Sequence, residues 1–158
     1  MKLLLNCDGG SRGNPGPAAS GFVVYDITGI PELKGGVQAP KTRVSSAVEE
    51  GAGIILEKCG NYLGITTNNQ AEYSALISGL KWILENHEQA ELVIKMDSLL
   101  IVNQIKGLFK VKNPGLLPRF QEVRGLLSRF SKYSIEHIYR EGNSLADSMV
   151  NEVLDSLT

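Results

Sequence analysis

The sequence predicts one α/β domain built on an open sheet, and three observations carry that expectation. Leu3-Leu4-Leu5 is a continuous apolar run ending in Asn6-Cys7-Asp8-Gly9-Gly10, the pattern of a central strand that delivers a carboxylate to its own C-terminal end. Strand-like patterning continues to about Ile65, and helical and strand periods then alternate to the C-terminus, which implies right-handed crossovers between parallel strands. The chain has 158 residues, 42% of them hydrophobic and 21% charged, enough for one core that folds unaided and too few for a second domain. Ligands of such sheets bind at the carboxyl ends of the strands, so Asp8 marks the edge that matters.

Residues 9–17, directly after the first strand, are so rich in Gly, Pro, Ser and Asn that a tight loop is expected. This loop has neither the GK[ST] ending of a Walker motif nor GxGxxG spacing. Residues 18–27 are strand-like rather than helical, so β-hairpin geometry is expected with residues 21–26 as the second strand. Residues 28–50 are rich in Gly, Pro and Ser, and a segment this long without periodicity is either an inserted hairpin or a mobile flap. Residues 53–58 and 62–65 suggest a third strand, bulged near Gly60.

From Asn69 to Glu85 the period becomes helical, with Tyr73, Leu76, Ile77, Leu80, Ile83 and Leu84 on one stripe. Glu72 falls in the expected first turn, and the small residues Ala75 and Gly79 on its face turn it inward. A capping box, Asn69 with Glu72 three residues on, explains the same glutamate. Residues 91–97 form a second buried strand, parallel to the first and again ending in an aspartate, and either Asp97 or Ser98 can cap the short helix after it. Residues 106–115 are a basic connector. Leu116, Phe120, Val123, Leu127 and Phe130 then mark another helix, residues 133–140 alternate as a third parallel strand, and Gly142-Asn143 caps a last helix. In that helix Asp147 shares a face with Val150 and Leu154, bordering the buried side, where an unpaired carboxylate is costly.

The formal charge is −1, from 16 basic and 17 acidic residues, which on its face argues against a nucleic-acid partner. Cys7 and Cys59 show no zinc spacing and are expected as reduced thiols. The N-terminal apolar stretch is too short for a signal peptide, and no run approaches a membrane span, so a cytoplasmic protein is expected.

Four carboxylates, Asp8, Glu72, Asp97 and Asp147, are thus directed to one sheet edge. They repel one another unless cations lie between them, and oxygen ligands suit Mg²⁺ or Mn²⁺. Two such ions would turn the formal charge of −1 into about +3, so net charge does not exclude a polyanionic substrate. Two ions about 4 Å apart are a standard device for phosphodiester hydrolysis, one activating water and the other stabilising the leaving oxygen.

The blocks Asp8-Gly-Gly-Ser-Arg-Gly-Asn-Pro-Gly16, Thr67-Asn-Asn-Gln-Ala-Glu72-Tyr-Ser-Ala-Leu76, Met96-Asp97-Ser98 and Arg140-Glu-Gly-Asn143-Ser-Leu-Ala-Asp147 resemble type 1 ribonuclease H. The resemblance covers residues 2–27 and 61–157 in the right order. It implies a ribonuclease H-like fold: a five-stranded mixed sheet, three antiparallel strands then two parallel, with helices on both faces. It implies cleavage of the RNA strand of RNA/DNA hybrids to 5′-phosphate products, with Asp8, Glu72, Asp97 and Asp147 as catalytic metal ligands for Mg²⁺, or Mn²⁺ as a substitute. By the same resemblance Asn14, Asn69 and Gln70 contact the minor groove and its 2′-hydroxyls, and Thr67 and Asn113 hold a phosphate of the DNA strand.

The chain departs from the family pattern in three places. The family's loop histidine is missing between the last strand and last helix, where Arg140 is the substitute to test; His87 and His137 are expected to be ordinary side chains. A basic helical protrusion is absent, with Lys110 and Lys112 nearby, and so is an added N-terminal hybrid-binding domain. A single catalytic domain over residues 1–158, with an insertion around 28–60, working as a monomer without an obligate protein partner or a membrane, is the expectation. A hybrid-binding module without catalysis and a DNA-acting nuclease of the same fold are the alternatives. The first predicts a missing carboxylate, and the second has no need of the Thr67–Gln70 block.

Overall fold

The computed structural model describes residues 1–31 and 53–157. Its elements run β1 (Lys2–Ser11), β2 (Gly16–Asp26), β3 (Ile54–Thr66), α1 (Asn68–Asn86), β4 (Glu91–Met96), α2 (Leu99–Ile105), α3 (Leu117–Leu127), β5 (Tyr133–His137), a 3₁₀ turn (Arg140–Asn143) and α4 (Ser144–Asp155). The strands make one sheet in the order β3-β2-β1-β4-β5. Pairing is antiparallel between β1 and β2 and between β2 and β3, and parallel between β1 and β4 and between β4 and β5. This is the mixed five-stranded sheet expected from the sequence.

β1 is central because it is apolar on both sides. Alternation sends Leu3, Leu5 and Cys7 to one face, where α1, α2 and α3 cover them with Tyr73, Leu76, Leu80, Ile101, Val123 and Leu127. Leu4 goes to the other face with Val23, Tyr25 and Val93, beneath Leu145 and Ala146 of α4. Burying each such side chain contributes about 1.5–3 kcal/mol, so helices on both faces are what this strand demands. Among the described residues no helix is long and apolar enough to cross a membrane.

Several boundaries differ from expectation. β1 runs three residues past Asp8, so the tight turn is confined to residues 12–15, with Gly13 at φ 92°. β3 is one strand from Ile54 to Thr66, and its register against β2 shifts where Leu56 and Leu63 have no opposite residue. Gly60 itself is in register, opposite Gly21. Its glycine answers to α4 instead: a Cβ on Gly21 would lie 2.7 Å from the Ala146 carbonyl oxygen, and one on Gly60 2.9 Å from Val153 Cγ2. Glycine in a strand signals either a bulge or a close approach, and here it is the approach. Of the insertion expected around residues 28–60, Ile54–Gly60 belong to β3, and of residues 28–50, the hairpin-or-flap segment, all but 28–31 lie outside the described residues. β5 ends at His137 rather than Arg140, because the chain turns into the 3₁₀ segment.

Candidate active site

Parallel pairing sets the site. Cys7 lies opposite Met96 in the β1–β4 register, so the next residues, Asp8 and Asp97, stand side by side where the pairing of β1 with β4 ends, at the C-terminal end of β4. Glu72 arrives from α1, whose beginning is pressed on β1: a Cβ on Gly9 would stand 2.3 Å from the Ala71 carbonyl carbon and the Glu72 nitrogen. Only a glycine admits that approach. One oxygen from each of Asp8, Glu72 and Asp97 then lies within 4.8 Å of the other two. Asp147, on the first turn of α4, stands at the rim. Its side chain is 29% exposed, with Oδ1 3.6 Å from Arg140 Nη2 and Oδ2 accepting a 3.2 Å hydrogen bond from Asn151.

The competing caps resolve in favour of the site. Thr67 is the N-cap of α1, its hydroxyl accepting from the Gln70 N–H at 3.2 Å, so Glu72 lies beyond the first turn and Asn69 is no cap. Ser98 caps α2, accepting from the Ile101 N–H at 3.3 Å, which leaves the Asp97 carboxylate to the site. Asn143 holds the N-cap position of α4, yet its side chain caps nothing. Its Nδ2 donates instead to the Cys7 carbonyl at 2.7 Å, tying α4 to β1 directly behind Asp8.

Burial and mutual repulsion dominate the electrostatics. Asp8, 6% exposed, is pushed up to about 8, first by desolvation and then by the charges of Asp97 and Asp147; the Gly9 amide opposes this. Glu72 is raised by burial and by Asp8 and Asp97. Asp97 is raised by burial, offset by Arg140 and by a hydrogen bond from Asn143. The Cys7 thiol beneath them is pushed up by burial, then by Glu72 and Asp8. An uncompensated carboxylate group of this kind calls for cations.

The donors fit one. Glu72 Oε2 is shut from solvent and has no hydrogen-bond partner among the described residues, which is the condition of a ligand atom awaiting its ion. Three carboxylate oxygens without nitrogen or sulfur make a hard donor set that suits a divalent cation.

The four carboxylates open into a cleft of about 680 Å³, lined also by Arg12, Asn68, Asn69, His137, Tyr139 and Arg140. Asn69 and Arg140 therefore line the same cleft as the acids. Asn14, Thr67, Gln70 and Asn113 are grouped elsewhere, around the start of α1. Asn14 Oδ1 accepts from the Asn68 N–H at 3.1 Å; Gln70 accepts from the Thr66 hydroxyl; and a Cβ on Gly115 would lie 3.1 Å from both Asn113 Oδ1 and Gln70 Nε2. The sequence gives no role to two residues of this region. Asn68 Oδ1 accepts from both the N–H and the hydroxyl of Ser11, at 2.7 and 3.0 Å, locking the end of β1 to α1. His137, expected to be an ordinary side chain, lines the cleft with Nε2 3.2 Å from the Asp97 carbonyl oxygen. Its signal was its place at the carboxyl end of a parallel strand. His87 lies at the far end of α1, as its C-cap.

The fold and this cluster define a domain of the ribonuclease H-like class, and a family model described as reverse transcriptase-like matches residues 48–153. The chain is 35% identical over 156 residues to the bifunctional protein Rv2228c of Mycobacterium tuberculosis. Its structure superposes on the ribonuclease H1 crystal structure from Halobacterium salinarum with a TM-score of 0.79, at 33% identity and 99% coverage of both chains. LC11-RNase H1, solved in complex with an RNA/DNA hybrid, is 34% identical, with a TM-score of 0.79 over 99% of this chain and 100% of that one. The chain belongs to the type 1 ribonuclease H family. It spans 36% of the length of Rv2228c and 62% of that of the curated halobacterial ribonuclease HI.

Proposed function

We propose that this chain is an endoribonuclease that hydrolyses the RNA strand of RNA/DNA hybrids, leaving 5′-phosphate and 3′-hydroxyl ends, with Asp8, Glu72, Asp97 and Asp147 holding two Mg²⁺ ions. The observation that carries this is the three-carboxylate cluster with its orphaned Glu72 oxygen, in a chain of this family. Bound divalent cations would supply the charge that activates the attacking water and stabilises the leaving oxygen, and Mn²⁺ suits the same oxygens. Burial and carboxylate repulsion hold the Asp8 carboxyl well above the usual carboxylate range, and bound cations would offset that repulsion and favour its ionised form.

The chain's other residues position the substrate. Asn69 beside the acids, with Asn14 and Gln70 next to it along the α1 start, present amide groups that both donate and accept, as recognition of 2′-hydroxyls requires. Thr67 and Asn113 hold a phosphate of the DNA strand. Arg140, placed between Asp97 and Asp147, steers the scissile phosphate in or the product phosphate out. All four carboxylates come from one chain, which supports a monomer as the working unit, residues 1–158 forming one catalytic domain. Unpaired Cys7 and Cys59 suit the reducing cytoplasm.

One gel tests the reading: labelled hybrid, duplex RNA and duplex DNA, each with Mg²⁺, Mn²⁺ or EDTA. Cleavage of the hybrid alone, abolished by EDTA, is expected. Cleavage of duplex DNA points to a DNA-acting nuclease, and binding of the hybrid without any cleavage points to a hybrid-binding module.

A further inference from the structure

Tyr139 is the most exposed large apolar side chain of the described residues, at 80%, and it stands at the mouth of the carboxylate cleft. A single exposed aromatic is ordinary in itself. The backbone of this one is held on both sides of the residue, and its ring has one aromatic neighbour among the described residues. Its carbonyl accepts from the Gly142 N–H at 2.9 Å, and the preceding Ile138 N–H donates to the Met96 carbonyl at 2.9 Å, which anchors the segment to the end of β4. Its ring meets that of His137 edge to face, with centroids 5.8 Å apart and planes at 78°. The His137 ring is bonded in turn to the carbonyl of Asp97 at 3.2 Å. A chain of contacts therefore leads from the Asp97 carbonyl through the His137 ring to an aromatic face left open to solvent.

An aromatic ring loses little conformational entropy when it is already held, and its face is a sequence-tolerant platform for nucleotides. Arg140, the next residue, supplies the adjacent charge for a phosphate, whereas the Tyr139 ring offers only an apolar face. We infer that Tyr139 is a positioning residue whose ring packs on the ribose of the nucleotide next to the cleaved phosphate, setting that sugar against the carboxylate cluster. The inference rests on the proposed hybrid substrate. It adds a contact that is apolar and blind to base identity, and so is distinct from the amide and phosphate contacts at the start of α1.

The test compares the parent chain with Tyr139→Ala, Tyr139→Leu and Tyr139→Phe in Mg²⁺ on one hybrid, measuring kcat, KM, the salt dependence of KM and Tm. Tyr139→Ala should raise KM about tenfold, within the range measured for lost stacking contacts, with kcat changed by less than about twofold. Tyr139→Phe should restore KM and Tyr139→Leu should not. The slope of log KM against log salt should be that of the parent, because no phosphate contact is lost. An unchanged KM in Tyr139→Ala, a failure of Tyr139→Phe to rescue, or a fall in Tm that accounts for the loss overturns the inference while leaving the hydrolase reading intact. A parent chain that leaves the hybrid uncut overturns both.

Discussion

At the scale of single residues, Asp8 and Glu72 are where burial and charge conflict. Replacing Asp8 or Asp97 by Asn removes a ligand charge and relieves repulsion together. Turnover of the hybrid should fall by about 10³-fold or more, roughly 4 kcal/mol in barrier, while the cation-free Tm equals or exceeds that of the parent. Near-normal kcat in Mg²⁺ would remove these aspartates from the catalytic set. The same conflict gives stability a pH dependence. Asp8 is raised from 3.8 to about 8 and Glu72 moves the same way, so their contribution is fully present below about pH 4 and is lost as pH rises through about 8. Cation-free melting should therefore show Tm falling across that window, and saturating Mg²⁺ or Asp8→Asn should flatten the curve. Arg140→Ala should lower kcat more than His137→Ala, since Arg140 offsets charge on Asp97 and pairs with Asp147, whereas the His137 ring nitrogen meets the Asp97 carbonyl and not a carboxylate. Equal small effects in steady-state assays would deny Arg140 its role. The aspartates were legible in sequence because each ends an apolar run or sits on a helix face. His137 was not, because alternation carried the expected strand three residues too far and placed the histidine within it.

At the scale of elements, glycines decide how closely helices approach the sheet. Gly21→Ala would force its Cβ against Ala146 and Met149 of α4. Urea unfolding should register a loss of about 1–3 kcal/mol, and kcat should drop as well because α4 carries Asp147. Gly125 is the contrasting case, in the last turn of α3 with nothing within 4 Å of an added Cβ. Gly125→Ala should stabilise by about 0.5–1 kcal/mol with activity unchanged. From sequence alone both kinds of glycine look like flexibility. The order of strands and helices was legible because hydrophobic period is local, but the bulges at Leu56 and Leu63 and the Gly21–Gly60 pairing depend on what lies across the sheet, which no local pattern records.

At the scale of the whole molecule, the cleft and the amide side chains at the start of α1 adjoin one another, so the proposed substrate would meet both. If Asn14, Asn69 and Gln70 recognise consecutive 2′-hydroxyls, a hybrid containing a run of ribonucleotides should be cut, and a single ribonucleotide embedded in duplex DNA should be cut little or not at all. Efficient incision at that lone site, at equal enzyme, would point to a different mode of recognition. Duplex RNA should bind yet stay intact.

The hydrogen bond from Asn143 to the Cys7 carbonyl joins residues 136 positions apart. Closing a loop of that size precedes any reward from the contact, so native geometry at the cleft belongs to the late part of folding. Hydrophobic assembly of β1, β2 and α1 can come earlier, since their contacts are nearer in sequence. A refolding experiment should therefore recover burial of Trp82 on α1, followed by fluorescence, before it recovers nuclease activity. If Asp147 serves as proposed, a polypeptide still emerging from the ribosome would be inert toward hybrids until α4 docks, and the order of synthesis would itself withhold the activity from an unfinished chain.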